Sequence, residues 1–167
     1  MQETIEKLIG LKCFVANHIY GTMFYMDFGY PVVEFNDKGE DMSVRGEWGV
    51  SVLAASWEIK YKDQNHSVTS ENIAVERKAA ISDFIGQTVE DINFNSETSR
   101  LSIFFSHEIT LEIYTNYAEA MKDNEAELWW IKTPHSIVSF TKGGKFEEQE
   151  TPKGSNVLTV PHKIDIN

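Results

Sequence analysis

The side chains best suited to chemistry in this sequence are its histidines and its single cysteine, because imidazole and thiolate groups ligate metals and transfer protons. No two histidines share the i, i+4 or H-x-H spacing that brings two ligands to one ion; they are His18, His66, His107, His135 and His162. Four of the five stand beside turn residues, which indicates solvated loop histidines. The sequence therefore predicts no metal site and no cofactor.

Nucleophilic catalysis would require Cys13 or a serine held beside a base. Cys13 lies among Leu11, Phe14 and Val15, which favours a buried and unreactive thiol. No G-x-S-x-G elbow occurs in the chain. A lone cysteine cannot form an internal disulfide, which agrees with a reducing compartment.

Clustered carboxylates serve acid–base chemistry or calcium binding in some proteins, but in loops they more often form solvated surface. The segment 37–41 lacks the oxygen spacing of an EF-hand and places Lys38 among the would-be ligands. Gly143 and Gly144 are followed by Lys145-Phe146, not by the Gly-Lys-Ser/Thr ending of a phosphate loop. We therefore expect a protein that is not an enzyme, with an unrecognised carboxylate site as the remaining catalytic alternative.

The charge balance narrows the class of partner. The chain has 26 acidic and 15 basic residues, a net charge of −11. Such a surface repels nucleic acids and anionic membranes and attracts a basic protein, although acidity can also serve solubility alone. The N-terminal segment lacks the basic and apolar regions of a secretory signal, and no apolar stretch is long enough to span a membrane, so we expect a cytoplasmic protein.

The elements that must position these side chains are mostly strands. Apolar periodicity predicts a helix over 2–9 that stops at Gly10, and a second over 71–85 with Ser70 as N-cap and Gly86 as stop. Each helix is followed by four predicted strands: 11–15, 23–28, 50–52 and 56–60, then 88–94, 101–105, 109–114 and 129–132. A Gly-Gly hairpin follows 137–140, and 157–160 reads as an edge strand.

These patterns predict one domain of 167 residues and of α+β class. We expect mostly antiparallel strands, in a sandwich or strongly curved sheet, with two short-to-medium helices. The matching order of elements suggests an internal duplication, with pseudo-repeats at about 2–62 and 71–133 and a C-terminal hairpin and tail at 134–167. Chance similarity is the alternative.

Three acidic segments are predicted as surface loops: 30–49, 116–127 and the tail from Phe146 onward. Trp57 and one of Trp129 and Trp130 are expected in the core, because adjacent strand residues point to opposite faces. The other tryptophan of the pair is then an interface candidate. The predicted partner-binding residues are Glu34, Asp37, Glu40, Asp41, Glu119, Asp123, Glu125, Glu127 and Trp130.

Several short motifs carry a resemblance: the two Ile-Gly turns, Phe28-Gly29, Gly46-Glu47-Trp48 and Trp57-Glu58-Ile59. On these motifs the chain resembles a family of uncharacterised bacterial proteins, and more loosely it looks like the immunity proteins of polymorphic toxin and contact-dependent growth inhibition systems. The resemblance implies an acidic cytoplasmic protein that binds and neutralises a cognate, basic toxin domain such as a nuclease. The alternative hypothesis is a small-ligand-binding or regulatory module with an aromatic-lined pocket for an apolar molecule.

Overall fold

A computed structural model describes residues 2–35, 42–62, 65–115, 126–150 and 158–159. The first part of the chain contains α1 (Gln2–Glu6), β1 (Cys13–His18), β2 (Phe24–Phe35), β3 (Met42–Val52), β4 (Ser56–Tyr61) and β5 (His66–Thr69). The second part contains α2 (Ala74–Ser82), β6 (Val89–Asn95), β7 (Arg100–Phe105), β8 (Ile109–Tyr114), β9 (Glu127–Lys132), β10 (Ser136–Thr141), β11 (Phe146–Glu150) and β12 (Leu158–Thr159). In the described part of the chain, no helix is long and apolar enough to cross a membrane.

The strands form two antiparallel sheets. The first sheet has the order β1-β2-β3-β9-β10-β11, and β12 pairs with the far end of β2. The second sheet has the order β5-β4-β8-β7-β6. The predicted α+β class, with mostly antiparallel strands and two helices, is confirmed, and the two sheets pack face to face as a sandwich.

The two sheets exchange one strand each. Three consecutive strands of the first half, β1 to β3, are completed by β9 from the second half. The three strands β6 to β8 are completed in the same way by β4 from the first half. Each exchanged strand carries the next strand in the chain on its other side, β10 or β5. The strand orders β1-β2-β3-β9-β10 and β6-β7-β8-β4-β5 are therefore equivalent. This order is consistent with the predicted internal duplication, which remains a hypothesis.

The core lies between the sheets and is rich in aromatic rings. Trp57 is fully buried and Trp129 is 1% exposed, so the expected placement of one tryptophan from the pair 129–130 is confirmed. Rings from opposite sheets meet at Phe24 and Trp57, whose centroids lie 5.4 Å apart, and at Phe94 and Trp129, 5.9 Å apart. A bulge between β9 and β10 allows Leu128 to join Trp129 in the core.

The helices close the space between the sheet edges. Ile5 and Leu8 from the first segment, and Ile81 and Phe84 from the second, belong to the core cluster. Both Ile-Gly pairs end in a glycine with positive φ, +85° and +88°, where a side chain would be strained. Their N–H groups donate to the first strand of the opposite half, from Gly10 to the Val89 carbonyl and from Gly86 to the Cys13 carbonyl, both at 2.8 Å.

The prediction of Ser70 as the N-cap of the second helix is wrong. The helix begins at Ala74, its N-cap position is Ile73, and no side chain caps it. The Ser70 hydroxyl instead accepts a hydrogen bond from the Trp57 N–H at 3.4 Å. An intervening turn, in which Asn72 Oδ1 accepts from the Thr69 N–H, delays the helix by several residues.

Two segments predicted as loops are strands. The stretch 30–49 belongs largely to the β2–β3 hairpin, where Val33 pairs with Val44 and Glu34 with Ser43. The β-branched residues there favour pairing, and a bulge at 28–31 accommodates the proline. Residues 146–150 form β11, across the predicted Gly-Gly hairpin from β10. The sequence also gave no indication of the short strand β5.

Candidate functional site

Three of the predicted partner-binding residues lie in the described part of the chain. Glu34 is in β2, Glu127 opens β9 and is exposed, and Trp130 lies within β9. The remaining six lie outside the described residues: Asp37, Glu40, Asp41, Glu119, Asp123 and Glu125. The prediction that these six residues bind a partner therefore falls outside the described part of the chain.

Trp130 lies half-buried on the outer face of the first sheet. Cross-strand pairing aligns five outward-facing residues in one row, which we call the aromatic row: Tyr25, Ser51, Trp130, Ser139 and Glu147. The two serines beside the indole are only 4% and 2% exposed. The partly exposed indole of Trp130 therefore contributes most of the accessible surface at the centre of the row. An aromatic side chain in that position can be buried further by a partner.

An ion pair fixes one end of the aromatic row. Asp27 has no exposed surface, and its carboxylate accepts hydrogen bonds from Arg45 Nε at 3.0 Å and Nη2 at 3.4 Å. The same guanidinium lies 4.7 Å from the centroid of the Tyr25 ring. A charge-assisted, nearly bidentate pair and a cation–π contact hold both side chains in place. This end of the face is therefore ordered before any partner binds.

The other end of the row is acidic. β11 is the last strand in the order of the first sheet and carries three exposed carboxylates. Glu147 lies on the outer face with Trp130, whereas Glu148 and Glu150 alternate to the other face of this edge strand, the face that Phe146 occupies. Glu147 lies two strands from Trp130, which corresponds to roughly 10 Å between their backbones. Glu148 Oε1 accepts a hydrogen bond from the Ser136 hydroxyl at 2.7 Å. Aromatic side chains bordered by charged ones are the usual anatomy of a protein-binding surface.

A second feature, the polar groove, lies on the outer face of the second sheet. Its charged side chains come from three adjacent strands: Glu58 and Lys60 on β4, Glu112 on β8 and Arg100 on β7. Lys60 Nζ lies 3.0 Å from Glu112 and 3.5 Å from Glu58, and Arg100 Nη1 lies 3.4 Å from Glu112. The hydrogen bond to Glu112 raises the pKa of Lys60, which keeps the ammonium charged.

The two exchanged strands, β4 and β9, allow the outer faces of the two sheets to be compared position by position. The sequences Trp57-Glu58-Ile59-Lys60 and Trp129-Trp130-Ile131-Lys132 take equivalent places beside β8 and β3. Glu58 therefore corresponds to Trp130. The first sheet presents an aromatic surface where the second presents a carboxylate. The groove was not predicted from the sequence, since Glu112 and Arg100 lie on strands whose pairing with β4 the sequence did not specify.

Several of the other reactive side chains in the described part of the chain are buried or have structural partners. Burial raises the pKa of the Cys13 thiol to about 12, so the thiolate is scarce at neutral pH. His107 Nδ1 lies 2.7 Å from Gln87 Oε1, and the His66 ring stacks on Tyr61 at 6.1 Å. Within the described ranges, no group of three or more His, Cys, Asp or Glu side chains is arranged to hold a metal ion.

Comparison with known proteins adds no relative: no family model matches the chain, and no curated protein or solved structure matches it.

Proposed function

We propose that this chain is an immunity protein that binds and neutralises a cognate, basic bacterial toxin domain such as a nuclease. The observation that carries the proposal is the outer face of the first sheet, where Trp130 stands between an ordered Tyr25–Arg45 pair and the acidic strand β11. The net charge of −11 and the motif resemblance to immunity proteins support the same interpretation.

The two parts of this face would contribute different terms to binding. Trp, Tyr and Arg are the residue types that most often carry binding energy when a partner excludes water from them. Exposed carboxylates at the border add less to affinity, but they accelerate encounter with a basic partner and select against acidic ones. A toxin whose substrate is a polyanion must itself present a basic surface, which β11 complements.

Co-expression with the protein encoded directly upstream tests the function, because an immunity gene commonly follows its toxin gene. We expect the two proteins to co-purify as one complex and cells producing the toxin to survive only when this chain is present. A charge-reversed variant, E147K/E148K/E150K, should associate at least about ten times more slowly at low salt, and the difference should shrink as salt is added. Absence of both complex formation and protection would reject the proposal.

A further inference from the structure

The polar groove has the size of a ligand site, but its lining is unlike that of an apolar pocket. It has a volume of about 460 Å³ and is open to solvent on the outer face of the second sheet. Ligand-binding pockets commonly span roughly 300–1,000 Å³. The large aromatic side chains that would line an apolar pocket instead pack against one another in the core, as at Phe84 and Phe105, 4.7 Å apart.

The charges of the groove balance one another. Two carboxylates, Glu58 and Glu112, face two cations, Lys60 and Arg100, and each cation lies within 3.5 Å of a carboxylate. A phosphate or other anion would meet both carboxylates and the overall charge of −11. A simple cation would meet the ammonium and the guanidinium. The groove therefore favours a ligand with no net charge.

Three hydroxyl groups in the groove remain available. Tyr114, Thr98 and Thr115 line it, and their hydroxyls make no hydrogen bond to other described residues. Burial and the neighbouring Glu58 and Glu112 charges raise the pKa of Tyr114, so the phenol stays protonated and can donate. Arg100 lies 5.5 Å from the centroid of the same ring, which orients it.

We propose that the polar groove binds a neutral saccharide. A sugar hydroxyl donates one hydrogen bond and accepts others, so neighbouring hydroxyls can bridge Glu58 and Lys60 while also contacting Tyr114. Hydrogen bonds to ionised groups are about twice as strong as those between neutral groups. An apolar ligand would leave these groups desolvated and unpaired, which opposes its binding. This inference does not depend on the proposed toxin interaction, because the groove and the aromatic row lie on opposite faces of the sandwich.

The test uses three neutral trisaccharides, maltotriose, cellotriose and tri-N-acetylchitotriose, titrated into the full chain and followed by protein NMR and calorimetry. We expect at least one to bind saturably, with shifts at Tyr114, Glu112 and Arg100. Y114F, which keeps the ring but removes the hydroxyl, and E58Q should each weaken binding about tenfold. S67A is the matched control, since Ser67 pairs with Lys60 on the same sheet but does not line the groove.

Three results would overturn the proposal. One is the lack of saturable binding of any of the three sugars at about 10 mM, a concentration well above the millimolar dissociation constants of weak ligands. Another is binding that is unchanged in both Y114F and E58Q, which would put the sugar elsewhere. The last is preferential binding of inorganic phosphate or spermidine in the groove, which would contradict the charge-balance argument.

Discussion

Replacing Phe140 with alanine should remove the centre of a ring cluster that joins the two sheets. Four rings, those of Phe94, Trp129, Phe140 and Phe146, form six pairs with centroids 4.8 to 6.0 Å apart. Phe140 is 1% exposed and contacts the other three at 5.1, 5.3 and 4.8 Å. Phe94 comes from the second sheet, so the cluster spans the sandwich.

The expected loss of unfolding free energy follows from this burial. Truncating a buried Phe to Ala costs about 3–5 kcal/mol, the lost transfer energy and the cavity together. Three ring pairs, each worth roughly 0.5–1.5 kcal/mol beyond area burial, place F140A in the upper half of that range. At about 2–4 °C per kcal/mol, the melting temperature should fall by roughly 8–20 °C.

Urea unfolding followed by tryptophan fluorescence and circular dichroism measures this loss. The control is F104A, which makes the same chemical change at a residue that is 38% exposed on the outer face of the second sheet. It should cost less than about 1 kcal/mol. Equal losses for F140A and F104A, or a loss below about 1.5 kcal/mol for F140A, would refute the packing described for this core.

Three further predictions concern single sites. G46A should lower the free energy of unfolding by about 3 kcal/mol or more, because a Cβ there would clash with the Trp48 carbonyl oxygen and lie 2.7 Å from the Phe28 nitrogen. G49A is the control, since the nearest atom to its Cβ would be 3.3 Å away, and it should cost less in the same thermal melt. R45A should cost about 3–5 kcal/mol in urea unfolding, because it strands the buried Asp27 carboxylate, and D27N/R45A should recover part of the loss. Cys13 should resist a thiol reagent at pH 8 until the protein unfolds. Burial raises the pKa of Cys13 from 9.0 to about 12, so its contribution to the free energy of unfolding is complete below pH 9 and is lost between pH 9 and 12. The free energy of unfolding should therefore fall more steeply over that range in the wild type than in C13A, where only other groups with raised pKa values, such as Tyr114, still titrate.

Local patterns predicted the parts of the fold that depend on local chemistry. The prediction that Trp57 lies in the core is confirmed in β4, where alternation also buries Ile59 and turns Glu58 and Lys60 outward. The Ile-Gly stops were predictable because a positive φ favours glycine wherever it occurs.

Long-range pairing could not be predicted from the same patterns. The Glu58–Glu112 register brings together residues far apart in sequence, and neither strand's alternation specifies its neighbour. Segment 30–49 was predicted as a loop because of its charge, yet pairs such as Val33–Val44 stabilise a hairpin there. The predicted N-cap failed for a related reason: Ser70 binds the backbone of β4, a partner visible only in the folded chain.

The affinity of the W130A variant for the upstream-encoded toxin tests the central claim most directly. Because Trp130 is partly exposed on the outer face, the substitution should lower the melting temperature less than F140A does, and the protein should remain folded. Loss of a central aromatic contact of about 2 kcal/mol should raise Kd roughly 30-fold, whereas E58Q, on the opposite face, should bind like the wild type. A W130A protein that binds the toxin as tightly as the wild type would contradict the assignment of this face.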